Sequence, residues 1–418
     1  MLLPARPDEP ITAPPSGEGP IARIGKIAGA VFLFKLIYLS LVACAIWGWA
    51  DLDTGSFNSL MRQWPLNGAP TFGSHFAAWD GAHYLFLSEQ GYVAGTSSCA
   101  FYPLWPLWIR WLAPLAGGDL LWSGLLWSNV FSGIGFALFY RVVAVRYGHR
   151  IGILSLVFLL AFPGSLFFQF IYSESLFFLL LMVLWWSLQG NRWGWIVLSG
   201  FLLPLTRAVG LLAMLPILWH LITRRPIFTW MPKFARRLSA DGTVIKTEAS
   251  WHNAPAWLLA GVPLLGFATY LGLMHAWTGN SLEGLQAQRF WGNVHSASNA
   301  LNPIKTAAAL FNPTTVHEFT GSVVDRTCFI FMLYCLPLCL KLDRSFAVWI
   351  YMLGVFPAMS GTFTSFTRYA STVFPMFVAL GVLLAAREHT RWRNVLLAVF
   401  LAGHLILLWR FVNWRWAG

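Results

Sequence analysis

Charge is scarce in this chain. Only 11% of its 418 residues are Asp, Glu, Lys or Arg, and 57% are hydrophobic. A soluble domain carries about 25% charged and about 45–50% apolar residues, so a water-soluble fold is excluded. Cysteine is scarce too. Of the five, Cys44, Cys328, Cys335 and Cys339 lie in apolar runs and Cys99 stands alone in a loop, which excludes a disulfide framework and a cysteine-based metal site. The P-loop pattern Gly-x4-Gly-Lys-Ser/Thr is missing, and so is Gly-x-Gly-x-x-Gly after a strand, which argues against an ATP-driven pump. His220, His252, His275, His295 and His404 show no ligand spacing such as His-Glu-x-x-His and read as structural. No metal and no cofactor are expected.

What the chain does have is aromatic and apolar. Its 24 Trp residues favour a membrane–water interface. The net charge of +12 does not point to nucleic acid, because the basic residues sit in short clusters between apolar runs, as cytoplasmic loops do. The N-terminus is not a cleavable signal: residues 1–25 are rich in proline and polar residues, and the apolar run that follows continues to about Trp49, too long for a signal core. Residues 1–22 are expected to form a disordered cytoplasmic tail, and residues 23–418 a single transmembrane domain.

A membrane-crossing helix needs about 20 apolar residues, fewer where it is buried in a bundle. The predicted spans are 26–49, 120–140, 151–171, 175–189, 193–206, 208–222, 256–276, 323–340, 345–361, 369–386 and 394–412, an all-α polytopic bundle of about 11 helices. Charge bias decides the ambiguous stretch 193–222. The loop at about 223–255 holds Arg224, Arg225, Lys233, Arg236, Arg237 and Lys246 and belongs on the cytoplasmic side. That requires two short helices turning near Thr206–Arg207 rather than one long one. Lys and Arg then favour the inside by about two to one. Two long loops, about 50–119 and 277–322, fall outside. The first reads as amphipathic pieces suited to the interface, and long ordered loops tend to carry function.

Five features could carry chemistry. The densest is Trp79-Asp80-Gly81-Ala82-His83-Tyr84-Leu85, followed by Glu89-Gln90-Gly91-Tyr92 and Ala100-Phe101-Tyr102-Pro103-Leu104. Asp80 suits a general base on a sugar hydroxyl, or equally a helix N-cap. His83, one turn on, suits phosphate or sugar binding or a partner for Asp80, whereas Glu89 reads as solvated. Glu174, in Tyr172-Ser173-Glu174-Ser175, is an acid between two apolar runs, costly there unless paired or used; the alternative is a place in the first turn of the next helix. Arg207 suits a phosphate grip or an ion pair with Glu174 or Asp80. Arg289, beside aromatics in the second outside loop, suits a sugar or phosphate contact or, as the alternative, a place on an interfacial helix. Arg368-Tyr369 opens the tenth span, as a site or an interfacial anchor. All five fall on the same face of the predicted topology.

The Trp79–Leu85 stretch with Gly91-Tyr92 and Ala100–Leu104 resembles the first luminal loop of the GPI mannosyltransferase 2 (PIG-V-type) family. So do Tyr172–Phe177, the arginine turn Thr206–Leu211, Arg368-Tyr369 with Phe374-Pro375, and the tail Asn413–Gly418. The turn reads Arg-Ala-Val-Gly where that family has Arg-Ser-Asn-Gly, which points to a bacterial relative. The resemblance implies a GT-C fold, a polyprenyl- or dolichyl-phosphate sugar (polyprenyl-phosphate-mannose) as donor substrate and a glycolipid, glycan or protein acceptor. It implies Asp80 as catalytic base, with Arg207, Arg368, Glu174 and His83 around the donor phosphate, and inverting, metal-independent transfer. The site would face outward from a bacterial plasma membrane, or into the lumen of the endoplasmic reticulum in a eukaryote. A lipid or polysaccharide flippase is the alternative from another class. It accounts for the helices and basic residues, but not for two long outside loops carrying the chemistry.

Overall fold

The computed structural model describes residues 20–49, 57, 63–65, 70–224, 254–292 and 295–418. The expected tail 1–22 falls almost wholly outside the described residues, and so does most of the expected cytoplasmic loop 223–255.

Among the described residues there is no β-strand beyond a single bridge between Thr315 and Ser322. Five helices are long and apolar enough to cross a membrane: within α1 (Pro20–Trp49), α4 (Leu120–Tyr147), α9 (Ala254–Thr278), α11 (Val323–Leu342) and α14 (Thr390–Val412). Six shorter apolar stretches fill the bundle between them. These are α5 (His149–Ala161), α6 (Glu174–Gln189), α7 (Trp193–Thr206), the stretch Ala208–Thr223 that overlaps α8 (Met214–Arg224), α12 (Phe346–Ser360) and α13 (Phe374–Leu383). The chain is a multi-pass membrane protein. The two long loops between spans contain helices as well, α2 (Asp80–Gln90) and α3 (Leu104–Leu112) in the first and α10 (Pro303–Phe311) in the second.

α1 shows how the bundle meets lipid. Val31, Lys35, Val42 and Ile46 form its buried stripe, and Leu33, Leu36, Ile37 and Leu41 are exposed on the rest. A helix bathed in hydrocarbon needs no polar face, so the stripe marks packing rather than solubility.

Two predicted spans need correction. The 151–171 span is not one helix: α5 stops at Ala161, and Pro163–Phe168 continues as a 3-10 turn. Pro163 is the cause, because proline removes a donor and forces Phe162 into the extended region (ψ 138). Likewise 369–386 is split into a turn at Phe366–Ala370 and a helix that starts at Phe374, with Pro375 in its first turn. Non-helical backbone inside a membrane must be satisfied by protein. The carbonyl of Phe168 accepts from Lys35 Nζ (3.2 Å), Ser132 Oγ (2.9 Å) and Ser175 Oγ (3.2 Å). Lys35 also donates to Asn129 Oδ1 (3.3 Å) and Gln169 Oε1 (2.9 Å), so all three of its N–H donors are used.

The hairpin at Arg207 is present. α7 ends at Thr206, Arg207 is extended (φ −156, ψ 146), and Ala208–Ala213 turns back as a 3-10 segment. Gly210 lies against the backbone of Leu203 so closely that a Cβ there would collide with it. Glycine is therefore what closes the turn.

Candidate active site

The two breaks and the hairpin bring three charged residues to one place. Glu174 is the first residue of α6, Arg207 the tip of the hairpin, and Arg368 part of the turn between α12 and α13. Asp80 arrives from α2. It is the first helical residue rather than the cap; that position is Trp79.

Arg207 Nη1 donates to Glu174 Oε1 and to Ser173 Oγ (3.2 Å). Arg368 Nη1 donates to Asp80 Oδ2, and Arg368 Nε lies 3.2 Å from Glu174 Oε1. That last approach pairs the charges without the alignment of a hydrogen bond, and Arg368 Nε and Glu174 Oε2 stay buried with no partner among the described residues. Glu174 is 0% exposed and Arg368 7%. Two acids and two guanidiniums therefore neutralise one another in a setting where a lone charge would be very costly. The ion-pair alternative for Arg207 is thus realised, with Glu174.

Both ends of the Arg368–Asp80 pair follow strained backbone. Trp79 has φ 56, and Thr362, Phe363 and Ser365 have φ 47, 65 and 58. Positive φ costs a side-chain-bearing residue of order 1–3 kcal/mol and persists only where surroundings enforce it. For Trp79 they do. Its Nε1 donates to the Arg415 carbonyl (3.2 Å) and its ring meets Trp416 edge-on at 5.1 Å. On the other side, Asp325 holds the turn that carries Arg368, accepting from Thr367 N (2.6 Å) and Thr367 Oγ1 (2.7 Å).

A cavity of about 200 Å³ opens over this network. Asp80, Arg207, Arg368 and Tyr369 line it, with Tyr84 and Trp291 among its aromatic walls. The Tyr369 ring is shared by both guanidiniums, at 4.9 Å from Arg207 and 5.2 Å from Arg368. No hydrogen bond from a described residue reaches Asp80 Oδ1. Each guanidinium carries five donors, so donors beyond those paired with the acids remain.

Two expected site residues sit elsewhere. His83 is buried behind the wall. Its Nδ1 and Ser98 Oγ are 2.9 Å apart, and its ring stacks on Phe101 at 4.8 Å. Burial pushes its imidazole down to about 4, against a smaller upward pull from Asp80. Arg289 is exposed, packs over Phe290 at 5.0 Å and does not line the cavity, although Gln288 and Trp291 of the same turn do. Glu89 is exposed, as expected. Sequence reasoning missed Asp325, although an acid in the first turn of an apolar helix is itself a signal, and it set aside His295, which lines the cavity. Among the described residues no group of His, Cys, Asp and Glu could hold a metal ion.

No family model matches the chain, and no curated protein matches it. Solved structures do resemble it. ArnT from Cupriavidus metallidurans bound to undecaprenyl phosphate aligns at 16% identity over 89% of this chain and 64% of its own, with a TM-score of 0.49. The Archaeoglobus fulgidus oligosaccharyltransferase tethered with an acceptor peptide aligns at 12% identity over 93% of this chain and 55% of its own (TM-score 0.40). AglB from Archaeoglobus fulgidus, with an inhibitory peptide and a dolichol-phosphate, aligns at 11% identity over 93% and 56% (TM-score 0.41). The chain spans less than two thirds of each.

Proposed function

We propose that this protein is a GT-C-type membrane glycosyltransferase that transfers a hexose, mannose by family resemblance, from a polyprenyl phosphate to an extracytoplasmic acceptor with inversion. One observation carries the proposal. Asp80, Glu174, Arg207 and Arg368, drawn from four separate segments, meet in one charge network, and all but Glu174 line one cavity.

The chemistry follows from that arrangement. A sugar phosphate brings negative charge and a leaving group. Arg207 and Arg368 grip the phosphate with donors not spent on the acids. The acceptor hydroxyl gives its proton to Asp80 Oδ1 as its oxygen attacks the anomeric carbon. The bond from that carbon to the phosphate oxygen breaks, and the charge left on the lipid phosphate is stabilised by the two guanidiniums. Glu174 does not react. It holds both arginines and keeps the empty site neutral. The aromatic walls suit the apolar face of a sugar ring. A flippase would need a continuous path for lipid headgroups and no base poised at the phosphate.

The test is sugar transfer by the purified chain in lipid nanodiscs supplied with polyprenyl-phosphate-mannose and a mixed glycolipid acceptor. Transfer is expected, and Asp80→Asn should lower it about 10²–10⁴-fold without loss of folding. Unchanged transfer by Asp80→Asn sinks the base assignment. Lipid movement across vesicles without any transfer would replace the enzyme by a flippase.

A further inference from the structure

His295 is the one histidine that lines the cavity, and the role given to it here rests on the transferase reading. The residue is fixed in place. Ser296, next in the chain, donates its N–H to the Ser360 carbonyl (2.9 Å), and Asn299 Nδ2 donates to the same oxygen (3.0 Å). The ring stands edge-on to Tyr369, with centroids 6.0 Å apart. Among the described residues no hydrogen bond reaches either ring nitrogen, whereas the charged side chains of the cavity, Asp80, Arg207 and Arg368, are engaged in the ion-pair network. Arg368, Asp80 and Arg207 all lie within electrostatic reach of it.

A neutral imidazole carries one donor and one acceptor. A phosphate oxygen uses only donors, and the two guanidiniums supply those. A sugar hydroxyl uses both kinds at once. We infer that His295 is a substrate-contacting residue that reads a hydroxyl of the donor sugar, beside the arginines that hold its phosphate. Burial, helped by the neighbouring cations, pushes the ring down to about 4, so it stays uncharged at working pH and does not compete for the phosphate. A site built to hydrogen-bond a hydroxyl discriminates strongly against a substrate lacking it, because its own polar group is then left unpaired. His295 thereby sets which sugar is accepted.

The experiment measures Kd of the purified chain in nanodiscs for two probes, polyprenyl phosphate and polyprenyl-phosphate-mannose. His295→Phe keeps the ring and removes both polar atoms, and His295→Gln restores a donor and an acceptor. The phenylalanine variant should bind the mannose-bearing lipid at least 10-fold more weakly and the bare phosphate lipid as wild type does. Glutamine should recover part of the loss, and thermal midpoints should agree. One of a set of monodeoxy-mannosyl donors should bind wild type and His295→Phe equally. The inference is overturned if the variant weakens both lipids alike, which marks a phosphate or structural contact, or weakens neither. A wild type that binds neither lipid overturns the transferase reading itself, a result distinct from a wild type that binds both and a variant that makes no difference.

Discussion

Arg368 is held between two carboxylates at once, donating to Asp80 on one side and lying 3.2 Å from Glu174 on the other. Arg207 approaches the same oxygen of Glu174, Oε1. Charge balance in this quartet is therefore shared, and no member can be removed without leaving another exposed to its low-dielectric surroundings.

Arg207→Met should destabilise the protein by about 3–5 kcal/mol, because Glu174 is left as a buried, half-paired acid. Adding Glu174→Gln should recover most of that loss, since the orphaned charge is gone, while transfer stays abolished. Thermal midpoints followed by tryptophan fluorescence in detergent test this. A double variant no more stable than Arg207→Met would show that packing, not charge, governs the site.

Acid should loosen the long loop that carries His83. His83 is pushed down to about 4, below the ordinary value near 6.5 that it regains on unfolding. Between those values the unfolded chain binds a proton that the folded chain refuses, so this stability is complete above pH 6.5 and falls as pH drops towards 4. From pH 7 to pH 5 the cost is about 2 kcal/mol. His295 adds a dependence of the same sign. His83→Gln should flatten the fall in thermal midpoint, and an unaltered slope would count against a neutral His83.

Lys35 is legible as unusual from sequence alone, being a cation inside the first apolar run, yet its purpose is not. Charge bias predicted the arginine hairpin, and the dense polar and aromatic stretch around Asp80 singled that residue out, because those signals are local. The breaks at Pro163 and Pro375 were weaker, since a proline inside an apolar run fits a kinked helix as well as a broken one. Asp325 and His295 could not be placed, because their partners, Thr367 and the cavity, are far away in the chain. Arg289 lies off the cavity for the opposite reason: its neighbours in sequence part ways, Trp291 turning inward onto His83 and Phe101 while Arg289 stays outside over the exposed Phe290.

Lys35→Met should lower the thermal midpoint, because Asn129 Oδ1 and Gln169 Oε1 lose their donor at about 1–3 kcal/mol per buried acceptor. Combining it with Gln169→Leu should recover part of the loss. A Lys35→Met protein as stable and active as wild type would remove the claim that this residue secures the break before Glu174.

Gly164→Ala should damage activity without touching substrate. A Cβ there would collide with the Thr367 carbonyl and come 3.1 Å from the Cα of Arg368, so the turn that carries Arg368 must move. Misplacing such a group by about 1 Å costs on the order of 10²-fold in rate. Gly272→Ala, in α9 with nothing within 4 Å of the added Cβ, is the control and should be neutral or slightly stabilising. Equal behaviour of the two variants would contradict the close approach.

The pairing of Asp80 with Arg368 spans 288 residues, and Arg368 is the last of the four to leave the ribosome. Until then Glu174 has only Arg207 to balance it, and Asp80 has no cation. A chain halted before Arg368 is made therefore holds an acid without its partner, and only the complete chain brings the four charges into balance.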